Sequence, residues 1–224
     1  MKSPLLIAHR GDRKYFPDNT IEGFLSAFSK GADGVEMDIQ FVNEQIFLIH
    51  DYMYDKGQIY LPLSEALERL GQLGRLEIEI KAFTTEILKP LSNLLGLYSP
   101  QNVELTTSEL PLIPFISHAF PQYPVGVNFN KSHWEPWMSE ELYIRKTVNY
   151  LQLMKAQVAH LSNLPEDELT ITLIEAIHNS GFVAHYHIGF MEMPEQLKVF
   201  KLLQDVGVDQ CTFDDTDLLK EIVK

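Results

Sequence analysis

Short apolar runs alternate with amphipathic helical runs along the chain. Residues 5–9 read as a strand, followed by a loop holding Gly11 and Pro17. Asn19 or Thr20 then caps a helix running to about Lys30, with Glu22 in its first turn. Residues 34–40 read as a strand, 46–50 as a further extended piece, and 63–70 as a short helix. Six strand–helix pairs follow: 76–81 with 85–95, 103–106 with 110–119, 125–128 with 140–154, 158–161 with 168–179, 182–188 with 195–205, and 210–213 with 216–223. Pro111 and Pro114 interrupt the second of these helices, and Gly181 and Gly207 close two later ones. Counting 46–50 as an extension of the second unit gives eight strand–helix units. Such alternation implies parallel strands joined by crossovers. Eight units fit a closed (β/α)8 TIM barrel in the α/β class better than an open sheet. No linker or low-complexity tract divides residues 1–224, so a single domain is expected.

Two strands break the apolar pattern in the same way. In Val35-Glu36-Met37-Asp38-Ile39 the strand period puts Glu36 and Asp38 on one face and the three apolar side chains on the other. In the run from Leu76 to Lys81, Glu77, Glu79 and Lys81 share a face. The outer face of a barrel strand is covered by helices and must be apolar, so the charged faces point inward. Buried carboxylates need a partner, and a divalent cation is the usual one. Hard oxygen ligands suit Mg²⁺ or Ca²⁺ better than zinc. His9-Arg10 ends the first strand and His50-Asp51 ends the third extended piece. Imidazoles are the natural acid and base near neutral pH, and an arginine can clamp a phosphate through two hydrogen bonds. His185 and His187 share one face of their strand. Trp134 and Trp137, beside His133, fall in a strand-to-helix loop, the part of a barrel that lines its site. His118, His160 and His178 carry no distinguishing pattern.

Charge narrows the partners. The 224 residues hold 18 Lys and Arg against 31 Asp and Glu, a net charge of −13. That balance opposes a nucleic-acid surface, which needs clustered cations, and a broad anionic-membrane patch. It leaves room for one small anionic substrate if a metal or a few cations are placed locally. The single cysteine, Cys211, excludes an intramolecular disulfide, and its place on a core strand suits a small buried apolar residue. The apolar start is cut short by His9-Arg10-Gly11-Asp12-Arg13, and no apolar stretch approaches the roughly 20 residues that span a bilayer. A cytoplasmic protein without a stable membrane anchor is expected, with a homodimer left open.

Taken in order, these motifs resemble the glycerophosphodiester phosphodiesterase family. The resemblance rests on Ile7-Ala8-His9-Arg10-Gly11, Pro17-Asp18-Asn19-Thr20, the run from Gly31 to Asp38, His50-Asp51 and Ile78-Glu79-Ile80-Lys81. Gly207-Val208-Asp209 and Phe213-Asp214 look like the family's last strand. The resemblance implies a TIM barrel that hydrolyses small glycerophosphodiesters to an alcohol and sn-glycerol 3-phosphate with Mg²⁺ or Ca²⁺. By position, Glu36, Asp38 and Glu79 hold the metal and His9 and His50 form the acid–base pair. Arg10 and Lys81 bind the phosphate or substrate, and Tyr186, where the family has an aromatic, stacks on substrate. Two departures stand out: Asp18 replaces a Glu, and the insertion after His50-Asp51 is nearly absent. The second motivates an alternative, a related phosphodiesterase or lyase acting on lysophospholipid or sugar phosphodiesters. A non-catalytic phosphoester-binding barrel is the remaining reading.

Overall fold

The structure is a computed structural model that describes residues 3–99, 102–130, 134–162, 164, 168–189 and 192–222. Nine strands form one sheet: β1 (Leu5–His9), β2 (Gly34–Val42), β3 (Gln45–Leu48), β4 (Arg75–Ile80), β5 (Val103–Thr107), β6 (Val125–Asn130), β7 (Val158–Ser162), β8 (Val183–His187) and β9 (Gln210–Phe213). Eight of them, all but β3, pair in parallel, and β1 pairs with both β2 and β9, so the barrel is closed. Among the described residues, only β3 stands outside it, antiparallel to β2. The extended piece after the second strand is thus a hairpin extension of that unit, and eight strands make the barrel as the pattern requires.

Around it lie α1 (Ile21–Ser29), α2 (Leu63–Leu70), α3 (Leu88–Tyr98), α4 (Ile113–Ala119), α5 (Glu140–Met154), α6 (Glu168–Asn179), α7 (Met193–Val206) and α8 (Leu218–Ile222). Boundaries shift where prolines act as starters. Pro111 and Pro114 sit in the first turns of a short 3₁₀ turn (Leu110–Leu112) and of α4, where their missing N–H groups are not needed. The third helix starts at Leu88, with Pro90 in its first turn, and ends on left-handed Ser99. Of the expected ends, Val223 lies outside the described residues, as does His133. Thr20 is the cap of α1, its hydroxyl accepting from Gly23 N.

Outward strand residues and inward helix residues form one apolar layer that includes Phe24, Val35, Met37, Ile39, Leu76, Ile78 and Phe213, each fully buried. Truncating such an aromatic as Phe24 to Ala costs about 3–5 kcal/mol. That layer fixes the parity of every strand. The complementary inward set then contains His9, Glu36, Asp38, Glu77, Glu79, Glu104, Thr106, Asn128, His160, His185, His187 and Thr212, and the parallel register ranks it in layers: His9, Glu36 and Glu77 align, as do Asp38 and Glu79. No helix among the described residues is long and apolar enough to cross a membrane.

Candidate active site at the carboxyl ends of the strands

Arg10 and Gly11 leave β1 with left-handed backbones, φ 55° and 88°. A non-glycine residue there costs about 1–2 kcal/mol, so the turn is held by its contacts. At Gly11 a side chain would strike the backbone of Gly23, only 2.8 Å from where its Cβ would stand. The turn drops the Arg10 amide onto Glu36, with its N–H donating to Oε2 at 3.2 Å, and sets Nε 3.0 Å from Asp38 Oδ2. Asp18 accepts from Arg10 Nη1 and Arg13 Nη2, each at 3.1 Å. The shorter carboxylate at this position therefore still reaches both guanidinium groups.

Glu36, Asp38 and Glu79 converge, one oxygen from each lying within 4.8 Å of the others. Burial, then the charges of Asp38 and Glu79, push Glu36 well above the usual carboxylate range. Arg10 and Lys81 counter this. Burial works against their charge, but Asp38 and Glu36 hold Arg10 protonated, and Glu79 and Asp38 hold Lys81 protonated. Lys81 Nζ is 2.8 Å from Glu79 Oε1 and 3.5 Å from Asp38 Oδ1. Three carboxylates against two cations leave one negative charge over. Among the described residues, the buried atoms Glu36 Oε1 and Asp38 Oδ1 have no hydrogen-bond partner. Orphaned hard oxygens at this spacing fit a divalent cation of the Mg²⁺ or Ca²⁺ kind.

Other strands hold these groups in place. Ser108 Oγ and Asn128 Nδ2 donate to Glu79 Oε1 at 2.9 and 3.0 Å. Thr106 donates to Asn128 Oδ1 at 3.0 Å, fixing which way the amide points. Asn19, which the pattern offered as a helix cap, instead donates to Asp38 Oδ2 at 3.1 Å and accepts from Asp38 N. His9 Nδ1 is 2.6 Å from Asp214 Oδ1, and its Nε2 is 3.8 Å from Glu36 Oε2. Burial lowers His9 to about 3, opposed by the bond to Asp214 and aided by His187 and Arg10. Burial thus favours the neutral ring, the form that accepts a proton. Bonds from His187 and His9 outweigh burial and hold Asp214 well below the usual carboxylate range. Gly189 makes this close approach possible, since a Cβ there would lie 2.5 Å from Asp214 and His187.

Of the expected site residues, His9, Arg10, Glu36, Glu79 and Lys81 line one cavity of about 220 Å³, with Asp38 buried beside them. His50 does not. It lies in a neighbouring groove of about 700 Å³ that also holds Asp51, Tyr60 and Arg69, with its Nδ1 2.9 Å from Asp51 Oδ1. Arg10 lines both spaces. Tyr186 corrects the sequence expectation: it is fully buried in the layer between barrel and helices, and its hydroxyl donates to Leu164 O at 3.2 Å. His185 and His187, its neighbours, take the inward positions, and the strand period forces the residue between them outward. Trp134 stacks on Tyr143 and donates to Met138 O, which anchors its own loop, while Trp137 is exposed. Asp214, Asn128 and Ser108 had no assigned role from sequence; Asp214 showed only as part of the Phe213-Asp214 pair that resembles the family's last strand, and the other two only by their inward or strand-end position.

Comparison with known proteins gives a consistent picture. A model described as the glycerophosphoryl diester phosphodiesterase family matches residues 9–130. The chain is similar to a glycerophosphodiester phosphodiesterase of Caldanaerobacter subterraneus subsp. tengcongensis, 47% identical over 53 residues, covering 23% of this chain and 22% of that protein. It is 31% identical over 85 residues to one from Bacillus altitudinis, covering 38% and 28%. These alignments thus span between a fifth and a third of the relatives' length. Among solved structures it is similar to a glycerophosphodiester phosphodiesterase from Agrobacterium tumefaciens, with TM-score 0.75, 17% identity, and 97% and 99% of the two chains covered. One from Thermotoga maritima gives TM-score 0.74, 16% identity and 99% of both chains. At such identities the likeness is one of fold.

Proposed function

The chain belongs to the glycerophosphoryl diester phosphodiesterase family, and on that premise we propose that it hydrolyses glycerophosphodiesters to an alcohol and sn-glycerol 3-phosphate. The observation that carries this reading is the meeting of Glu36, Asp38 and Glu79 with Arg10, Lys81 and His9 at the carboxyl ends of β1, β2 and β4. Those three carboxylates would hold a divalent ion. When bound there, such an ion supplies positive charge against the phosphoryl oxygens.

The chain's own groups divide the remaining work. Arg10 binds the phosphate, because its guanidinium is fixed by Asp18 and Asp38 and faces both spaces. Lys81 adds a second cation on the far side of Asp38. His9 lines the barrel cavity and His50 the outer groove, and Arg10 lines both. The reading requires a phosphate on Arg10 to meet the two imidazoles on opposite faces, as an acid and a base for in-line displacement. Asp214 holds the His9 ring and stabilises it once protonated.

A second reading has its own observation. The short connection after His50 leaves the outer groove wide, with Ile59 and Met53 fully or largely exposed on that connection. A bulkier diester, such as a lysophospholipid or a sugar phosphodiester, has room there. Its neighbouring hydroxyl would then attack phosphorus, giving its proton to one imidazole, while the P–O bond to the other alcohol breaks and that alcohol leaves with a proton from the second imidazole; the product is a cyclic phosphate. Metal-loaded protein, presented with glycerophosphocholine, glycerophosphoethanolamine and a lysophospholipid, tests both. Glycerol 3-phosphate released with Mg²⁺ or Ca²⁺ and lost with chelator supports the first reading. A cyclic phosphate as the final product supports the second, and turnover of no diester with any of these metals removes both.

A further inference from the structure

Below the catalytic carboxylates the barrel is not apolar. Glu77 on β4, Glu104 on β5, His160 on β7 and His185 on β8 point into its axis, and one ligand atom from each lies within 4.8 Å of the others. Three of the four side chains are at most 1% exposed and His160 is 14% exposed. We propose that Glu77, Glu104, His160 and His185 form a second metal site, separate from Glu36, Asp38 and Glu79, that takes a first-row transition ion such as Zn²⁺. This site stands whatever reaction the mouth carries out.

Four independent features point to a ligand. First, Glu77 Oε2 is buried and has no hydrogen-bond partner among the described residues, while Oε1 is 3.3 Å from His185 Nδ1. Second, His185 Nε2 is 2.6 Å from Thr212 Oγ1. With its N–H donated there, Nδ1 is an acceptor that the Gln210 amide nitrogen reaches at 3.0 Å; an ion would take that amide's place, as in metal-bound imidazoles whose other nitrogen is tied down. Third, room has been made for the His160 ring: a Cβ on Gly126 would lie 2.6 Å from its Nε2. Fourth, Glu77, His160 and His185 all line the 220 Å³ cavity, which gives an ion a way in.

The fixed charges of the cluster are one cation short. Arg75 pairs with Glu104 and stands 3.5 Å from Glu77, so two carboxylates face one fixed cation. A proton on His160 closes that balance: burial opposes it, but the contact with Glu104 outweighs burial and favours it. It would place a cation against the His185 ring, stacked at 4.1 Å, and would leave Glu77 Oε2 orphaned. A divalent ion engages both carboxylates and both imidazoles at once, displacing the Gln210 amide that lies 3.0 Å from His185 Nδ1. Two imidazoles with two carboxylates select zinc-like ions, whereas the all-oxygen trio above selects Mg²⁺ or Ca²⁺.

Co²⁺, whose visible bands report coordination, is the probe. Titration of the intact protein should take up two equivalents, one of them with the intense absorption of a low-coordinate nitrogen–oxygen site. Glu79→Gln should lose the weakly absorbing equivalent and keep the intense one. His160→Gln and His185→Gln should each do the reverse, dropping the count from two to one, and Zn²⁺ should bleach the intense bands in wild type. Because the histidine variants can fail to fold, the unmodified protein supplies a second measurement. Its Co²⁺-loaded proton spectrum should show strongly shifted exchangeable imidazole N–H resonances. A single equivalent abolished by Glu79→Gln, with no shifted imidazole resonances in wild type, overturns the proposal.

Discussion

Strands β1, β2 and β4 bring His9, Arg10, Glu36, Asp38, Glu79 and Lys81 to the mouth of the barrel, whereas β5 to β9 bring Thr106, Asn128, His187 and, just past β9, Asp214. The first group carries formal charges that answer one another and still leaves buried oxygens without partners. The second group mostly holds the first: Asn128 and Ser108 grip Glu79, and Asp214 grips His9. On the proposed reading, one half of the barrel presents the chemistry and the other half sets its geometry. A substitution should therefore read differently according to the half it falls in, with large losses of turnover from the first and smaller losses of positioning from the second.

The largest effect is expected at Glu79. Glu79→Ala removes a proposed ligand and leaves Lys81 without its nearest carboxylate. Turnover of glycerophosphodiesters should fall by about 10³-fold or more, the scale of several kcal/mol of charge stabilisation. Titration calorimetry with Mg²⁺ should show the affinity lost with it, and unchanged activity would remove Glu79 from the ligand set. Next come the imidazoles. His9→Ala and His50→Ala should each lower kcat by about 10²-fold or more, the usual contribution of a positioned acid or base. A normal rate in His50→Ala would mean that the outer groove takes no part in proton transfer. Asp214→Asn belongs to the holding half. It keeps the shape but loses the charge that steadies His9, so kcat should fall about 10-fold with KM little changed, as misplacement of a reacting group does. A loss as large as that of His9→Ala would erase the distinction between the halves.

The two halves were not equally legible in the sequence. The barrel itself was, because strict alternation of apolar strands and amphipathic helices leaves few other folds, and Glu36, Asp38 and Glu79 showed as charges on otherwise apolar strands. Asp214, Asn128 and Ser108 are ordinary polar residues at strand ends, and their partners lie 205, 49 and 29 residues away. No local pattern encodes a contact at that separation; it follows only from closing the barrel. Asn19 shows the converse, since its place before a helix fits a cap, yet its side chain reaches Asp38. The quartet of Glu77, Glu104, His160 and His185 is scattered over four strands and becomes a cluster only in the closed ring.

A buried contact between the halves, behind the turn that carries Arg10, separates stability from turnover. Asp12 lies buried after β1, with Lys30 Nζ and Ser26 Oγ at 2.6 Å and the Thr216 hydroxyl at 2.5 Å. Bonds from Lys30, Ser26 and Thr216 more than offset burial and hold its carboxyl below the usual range. A carboxylate depressed in the folded state stabilises above its unfolded pKa, near 3.9, and that stabilisation disappears as pH falls through the lower folded value. Asp12→Asn should cost about 2–3 kcal/mol in urea unfolding at pH 7, the scale of hydrogen bonds to a charged group. The difference from wild type should shrink only below about pH 4. Turnover at 25 °C should be close to normal.

The smallest effect is expected at Tyr186, and it decides which face of β8 serves the site. The family position is aromatic, which suggested a stacking surface for substrate, but the side chain lies in the outer layer and its hydroxyl spends a hydrogen bond on Leu164 O. Tyr186→Phe keeps the ring and removes that bond, so it should cost about 1 kcal/mol of stability. Both kcat and KM should stay within about twofold, because exposed or distant changes that leave the packing intact barely move a site. An effect on KM of tenfold or more would mean that the ring turns inward when substrate binds. That requires β8 to invert its parity and pull His185 and His187 out of the cavity together. The parallel pairing of His185 with His160 and Gln210, and of His187 with Ser162 and Thr212, opposes that movement on both sides of the strand.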